Sequence, residues 1–163
     1  MARSLRCLLF TGVVLLWQAG AVESEIFDSR GVRIHYLVDG AGEPVVLIHG
    51  LYSSARINWE VPGTLAALAA DHQVVALDSP GFGRSGKPAS ADACGLQWIE
   101  DIARLLDQPK IGKAHIVGYS MGGIVSLKFM AEHPDRVLSG TLGGMGWLPE
   151  SGGLQKIWAS SEI

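Results

Sequence analysis

The sequence predicts an α/β fold, with a mostly parallel sheet that carries helices on both of its faces. A strand pattern followed by a helix pattern occurs three times in succession, which is typical of this class. The strand patterns at 44–48 and 73–77 are continuous apolar runs, as expected for strands buried on both faces. At 163 residues, 48% of them apolar, the chain is expected to form one globular domain.

The first 21 residues have the pattern of a secretory signal peptide. Arg3 and Arg6 precede an apolar run over 7–17, and residues 19–21 offer an A-x-A cleavage site. That run of eleven residues is too short to span a bilayer. We therefore predict a secreted or periplasmic protein whose mature chain is 22–163. An uncleaved N-terminal anchor is the alternative.

The charge of the mature chain argues against two classes of partner. Removal of residues 1–21 takes away two arginines, so 13 basic and 16 acidic residues become 11 and 16, a net charge of −5. This balance disfavours binding to nucleic acid or to an anionic membrane. Cys94 is the only cysteine after the signal and is interpreted as an incidental thiol. No spacing of metal ligands is present, so neither a metal nor a cofactor is expected.

The elements follow from the chain in order. Two strands, 24–28 and 32–38, form a hairpin in which Ile34, Tyr36 and Val38 alternate with Arg33, His35 and Leu37. The buried strand 44–48 ends at His49-Gly50, and a helix runs from near Trp59 to Ala70. The buried strand 73–77 ends at Asp78, and the helix 94–106 presents an apolar face. A strand at 114–117, a helix from Met121 to the residue before Pro134, and a strand at 137–142 complete the pattern.

A G-x-S-x-G turn joins the strand at 114–117 to the helix that follows it. In such a turn Ser120 takes strained backbone angles, so that its hydroxyl stands free at the end of the sheet. Gly118 and Gly122 are required because the strand and helix backbones pass too close for a Cβ. The free N–H groups at the start of the helix suit a developing oxyanion. The alternative is a glycine-rich turn with an incidental serine.

The loop 78–88 also contains two phosphate-binding patterns, which the context rejects. Gly81, Gly83 and Gly86 fit a dinucleotide fingerprint, and Gly86-Lys87 completes most of a P-loop. A phosphate loop must open directly into a helix, yet Pro88 follows and no helix begins until about residue 92. Nucleotide binding is therefore not expected.

Three motifs at successive strand ends resemble the α/β-hydrolase superfamily in its serine-hydrolase branch: His49-Gly50, Asp78-x-x-Gly81-x-Gly83-x-Ser85 and Gly118-x-Ser120-x-Gly122. The resemblance covers 26–142, which is the front part of the family's domain. It implies that Ser120 is the nucleophile and that the N–H groups of Met121 and Leu51 form the oxyanion hole, with Tyr52 as the second choice. It also implies structural roles for His49, Asp78 and the loop 81–85.

The chain departs from the family pattern because it lacks a histidine placed to accept the proton of Ser120. The family's triad runs in the order Ser, acid, His, and only 43 residues follow Ser120. His133 is the only histidine among them, and it lies at the far end of the helix, roughly 20 Å away. His115 and His72 lie toward the wrong edge of the sheet, and His35 lies in the hairpin. His49 is near the site, but it belongs to a motif that supplies backbone donors.

We therefore expect a fragment or truncated product whose fold stops after about the sixth strand. Residues 145–163 are interpreted as the start of a lid. An apolar edge strand at 137–142 would be left unpaired, which predicts poor solubility.

The leading hypothesis is an exported serine hydrolase acting on a small ester-like substrate through an acyl-enzyme, represented by its nucleophile-bearing half and inactive as given. A serine at position 120, where an aspartate would be needed, argues against dehalogenase and epoxide hydrolase chemistry. A non-catalytic binding module on the same scaffold remains open, as does haloperoxidase-like or carbon–carbon hydrolase chemistry. The oligomeric state is not predicted.

Overall fold

The computed structural model describes residues 22–88 and 96–144. Within these ranges six strands are present, β1 to β6: Glu23–Ser29, Val32–Asp39, Glu43–Ile48, His72–Leu77, Ala114–Tyr119 and Val137–Gly143. The α-helices of the same ranges, α1 to α3, are Thr64–Ala69, Leu96–Asp107 and Met121–Glu132. A π-helical turn at Arg56–Glu60 precedes α1, and a 3-10 turn at Pro134–Arg136 follows α3.

The strands form one sheet in the order β1-β2-β4-β3-β5-β6. The hairpin β1–β2 is antiparallel, and so is the pairing of β2 with β4. The remaining neighbours, β4–β3, β3–β5 and β5–β6, are parallel. The chain moves from β3 outward to β4 and then returns to the other side of β3 as β5. The carboxyl ends of β3 and β5 therefore flank the point where the strand order reverses, which is where open α/β sheets bind ligands.

Helices cover both faces of the sheet, as the sequence predicted. One apolar cluster joins Val46, Ile48 and Ile116 of the strands to residues of α2 and α3, including the fully buried Phe129. A second cluster joins Val45 and Leu47 to Trp59 and Leu65 on the opposite face. Because successive strand residues point to opposite faces, the apolar run of β3 contributes to both clusters.

The helix predicted from near Trp59 to Ala70 is wrong in one respect, because it is interrupted. A π-helical turn ends at Glu60, and α1 begins only at Thr64. Pro62 has no N–H to donate, and Gly63 takes a left-handed φ of 82°. These two residues break one periodic segment into two pieces.

The alternation predicted for the second hairpin strand does not correspond to a buried and an exposed face. His35 and Leu37 are buried, as are Ile34 and Tyr36. Apolar clusters cover β2 on both faces, since Ile34 and Tyr36 belong to the first cluster and Leu37 to the second. A polar side chain at position 35 must then find partners inside the protein.

Several other predictions fall outside the described residues: the signal peptide 1–21, Cys94 and the start of its helix, and the lid segment 145–163. No helix in 22–88 and 96–144 is long and apolar enough to cross a membrane. Strand β6 forms one edge of the described sheet and exposes Leu138. The poor solubility expected from that edge stays a prediction.

Candidate active site

Ser120 occupies a strained turn between β5 and α3. Its backbone angles, φ 53° and ψ −117°, lie in a region that side-chain-bearing residues rarely adopt. The turn is held on the strand side, where the Ser120 N–H donates to the Gly143 carbonyl at 2.8 Å. Its hydroxyl makes no capping hydrogen bond to α3. The G-x-S-x-G segment thus forms a sharp turn from a strand into a helix, with its serine at the strained position.

The glycines on either side of Ser120 are required by close backbone approach. A Cβ on Gly118 would lie 2.2 Å from the Gly122 carbonyl oxygen, and one on Gly122 would lie 2.1 Å from the Ile48 carbonyl oxygen. The Ser126 hydroxyl donates to the Gly122 carbonyl at 2.7 Å and further fills the same space. The packing of α3 against β3 and β5 therefore excludes any side chain at these two positions.

The start of α3 offers N–H groups that have no backbone acceptor. The Ser120 carbonyl accepts from Gly123 at 2.9 Å and from Ile124 at 3.2 Å. Within the described residues this leaves the N–H groups of Met121 and Gly122 free of backbone partners. The predicted oxyanion donor Met121 is one of these two.

The end of β3 brings the second predicted donor loop beside the serine. A Cβ built on Gly50 would lie 3.4 Å from the Ser120 Cβ, so these two residues are neighbours at the sheet edge. Leu51 and Tyr52 follow directly, and both are exposed. Tyr52 has a left-handed φ of 55°, which marks a sharp change of chain direction there. The choice between Leu51 and Tyr52 as N–H donor stays a prediction.

His49 is fully buried and both of its ring nitrogens are engaged. Nε2 accepts the Ser79 N–H at 3.0 Å, so Nδ1 carries the proton and donates to the Gly50 carbonyl at 2.7 Å. Burial lowers the pKa of His49 below its usual value, although the Gly50 carbonyl and Asp78 act in the opposite direction. With Nε2 occupied by a donor, His49 has no free lone pair with which to accept the serine proton.

Asp78 joins three segments beneath the site. Its carboxylate accepts the N–H of Ala55 at 2.7 Å and the N–H of Arg84 at 2.8 Å, and it pairs with His35 Nδ1 at 2.8 Å. A Cβ on Gly83 would lie only 2.1 Å from the carboxylate, so the loop can close over Asp78 only with glycine there. Asp78 thus ties the loop after β3, strand β2 and the loop after β4 to one another.

The other histidines of the chain lie away from Ser120. His133 contacts Glu100 at 3.1 Å at the far end of α3. His115 lies between Ser139 at 2.7 Å and Glu43 at 3.2 Å, at the amino-terminal edge of the sheet. His72 begins β4 at that same edge, with its ring centroid 6.4 Å from that of His115. Since His35 and His49 are also engaged, none of the five histidines hydrogen-bonds to the Ser120 hydroxyl.

Two contacts at the site were missed by sequence reasoning. Asn58 Oδ1 accepts the Gly50 N–H at 2.8 Å, and His35 is the buried partner of Asp78. Asn58 lies eight residues from Gly50 within an irregular turn, and no pattern marks it. The only available signal for His35 was a titratable side chain within an apolar strand.

The described residues define an α/β fold in which a strained serine lies at the turn from β5 into α3. The family model of the alpha/beta hydrolase fold matches residues 43–158, and the chain belongs to this family. No group of three or more metal-ligating side chains occurs within 22–88 and 96–144.

Individual relatives are similar to this chain over most of its length. The chain is 34% identical over 134 residues to a 2-hydroxymuconate semialdehyde hydrolase of Pseudomonas sp., covering 80% of this chain and 47% of the relative. It is 39% identical over 120 residues to the dihydrolipoyllysine-residue acetyltransferase component of the acetoin cleaving system of Cupriavidus necator, covering 73% of this chain and 31% of that protein.

A solved structure, the 2-hydroxy-6-oxo-6-phenylhexa-2,4-dienoate hydrolase of Rhodococcus sp., superposes with a TM-score of 0.68 at 35% identity. The match covers 75% of this chain and 46% of that structure. The chain thus spans less than half the length of each of these three proteins.

Proposed function

We propose that this chain carries the nucleophile and the oxyanion hole of a serine hydrolase. The observation that carries the proposal is the backbone of Ser120, which is held at φ 53° and ψ −117° with Gly50 packed beside it. Backbone strain of this kind persists only where the surrounding structure enforces it. Ser120 thus lies between Gly50 and the start of α3, where the N–H groups of Met121 and Gly122 have no backbone acceptor, and this supports a site for acyl transfer.

The proposed reaction proceeds in two halves. The Ser120 oxygen attacks a carbonyl carbon as its proton passes to a histidine, and the N–H groups of Met121 and Leu51 stabilise the oxyanion. The leaving group takes the proton, and water then attacks the acyl-enzyme to restore the serine. The histidine that accepts the proton is none of the five described above, since each is engaged elsewhere or lies too far away. We therefore propose that the 163-residue chain alone has negligible turnover.

The proposed substrate is a small ester-like molecule. Two of the matching proteins are named as hydrolases of unsaturated oxo acids, which favours carbon–carbon hydrolysis as a second candidate on the same site. Both reactions begin with a carbonyl group in the oxyanion hole, so the described residues serve either one. To discriminate ester hydrolysis from carbon–carbon hydrolysis, the product of the complete reading frame is assayed with p-nitrophenyl acetate and with an unsaturated 6-oxo acid, and the two turnover rates are compared.

A fluorophosphonate probe tests the nucleophile directly. We expect the product of the complete reading frame to be labelled at Ser120, and Ser120→Ala to lose all labelling. Ser139→Ala is the matched control, because Ser139 is an exposed serine on β6 and should leave labelling unchanged. A folded product that is never labelled would instead indicate a non-catalytic binding module on this scaffold.

We also propose that residues 1–21 direct export and are removed. In support, the first described strand begins at Glu23, so cleavage after Ala21 would leave β1 and its pairing with β2 intact. N-terminal sequencing of the protein recovered from the exported fraction is expected to begin at Val22. An intact Met1 in that fraction would support an uncleaved anchor.

A further inference from the structure

We propose that Asn58 is a positioning residue which, together with His49, holds the Gly50–Leu51 peptide in the orientation needed for oxyanion binding. The catalytic consequence rests on the proposed function above. The structural part, in which Asn58 and His49 hold Gly50 and which we call the clamp, depends only on the contacts described below.

Two side chains engage both polar backbone atoms of Gly50. Asn58 Oδ1 accepts the Gly50 N–H at 2.8 Å, and His49 Nδ1 donates to the Gly50 carbonyl at 2.7 Å. The peptide that joins Gly50 to Leu51 is planar and trans, so the Leu51 N–H points away from the Gly50 carbonyl. Fixing that carbonyl therefore fixes the direction of the Leu51 N–H.

The clamp is needed because this loop has no regular structure to support it. Strand β3 ends at Ile48, and the π-helical turn begins only at Arg56. Leu51 and Tyr52 between them are exposed residues, 52% and 88% accessible, so packing does little to hold this part of the loop. Side-chain hydrogen bonds take the place of a strand ladder here. Gly50, at the start of this loop, lies beside Ser120.

The unusual turn places Asn58 where it can reach Gly50. The Asn58 N–H donates to the Ser54 carbonyl at 3.0 Å, and the Val61 N–H bonds five residues back to Arg56 at 2.9 Å. The next side chain, Trp59, is buried in the second apolar cluster and anchors the turn to the sheet. Single π-helical turns are frequent at functional sites, because the wider turn re-aims one side chain.

Amide hydrogen exchange at Gly50 tests the clamp without any need for activity. In the 163-residue chain we expect Asn58→Leu, which removes the acceptor, to speed exchange at Gly50 about fivefold. Asn58→Asp retains an acceptor and should stay within about twofold of the wild type. Arg56→Leu is the control, since the Arg56 side chain lies on the same turn but is 72% exposed. Exchange that is unchanged in Asn58→Leu would overturn the clamp.

The labelling rate with a fluorophosphonate tests the positioning role in the product of the complete reading frame. We expect Asn58→Leu to slow labelling about tenfold while its thermal midpoint stays close to that of Arg56→Leu. Labelling at the wild-type rate, despite faster exchange at Gly50, would refute the positioning role. If the wild type itself is never labelled, the proposed function and its catalytic consequence fail together, whereas the exchange result still decides the clamp.

Discussion

Replacement of Gly122 by alanine is expected to destabilise the fold, although alanine is the better helix former. The substitution in isolation would favour α3 by about 1 kcal/mol. In the structure, however, the new Cβ would lie 2.1 Å from the Ile48 carbonyl oxygen and 2.6 Å from that of His49. Both atoms are backbone atoms, one at the last residue of the central strand β3 and one at the residue after it, so no side chain can swing away to make room.

The size of the effect follows from that geometry. Relief of the clash requires α3 and β3 to separate by about 1 Å, which opens packing along the whole helix. Overpacking of a well-filled core costs about 1–3 kcal/mol and sometimes more. Because this clash is with backbone, we expect a net loss near 3 kcal/mol after the gain in helix propensity. At this chain length that loss lowers Tm by about 6–12 °C.

Urea unfolding followed by circular dichroism measures this loss. Gly112→Ala is the matched control, because a Cβ there meets nothing within 4 Å and should leave the unfolding midpoint almost unchanged. If Gly122→Ala were as stable as Gly112→Ala, the close packing of α3 on β3 would be refuted. The account of how Ser120 is held beside Gly50 would then fail as well.

Two further predictions concern the buried polar groups beneath the site. Asp78→Leu should reduce the free energy of unfolding by at least about 3 kcal/mol, because it leaves two N–H groups and His35 without their acceptor. Asp78→Asn should reduce it less. The urea midpoints of the two variants measure both effects. A wild-type midpoint in Asp78→Leu would contradict this. For His49, burial lowers the pKa in the folded state, so the unfolded chain binds more protons below pH 6.5. Its contribution to stability is complete above pH 6.5 and is lost as the pH falls below that value, by at most about 1.4 kcal/mol per pH unit. His49→Gln should lose this part of the acid sensitivity in unfolding curves from pH 7.5 to 5; an unchanged slope would indicate that His49 does not titrate there.

Local signals predicted the elements that surround Ser120. The helix was expected to start at Met121 and to stop before Pro134, and α3 runs from Met121 to Glu132. The need for glycine at positions 118 and 122 was also predicted, and the contacts confirm it. These features depend on neighbours within a few residues along the chain, where the chemistry of proline, glycine and apolar runs acts directly.

Predictions that depended on layers or loops were less accurate. The alternation in β2 did not show which face was covered, because that depends on the strands and helices packed around it. The helix expected from Trp59 is divided, and its first turn became the irregular segment that carries Asn58. Nothing in the sequence near Asn58 indicates that its partner is the Gly50 N–H.

By itself, the sequence determined which segments are strands and helices, where the chain turns, and that a serine lies at a strained turn between a strand and a helix. Those properties are encoded in short stretches of residues. Only the tertiary structure decided that β3 lies next to β5, so that Gly50 lies beside Ser120. It also decided that Asp78 binds three separate segments, and that none of the five histidines hydrogen-bonds to the serine hydroxyl. Each of these contacts joins residues far apart in the chain, and such pairs form only when the whole sheet and both of its helical layers have assembled.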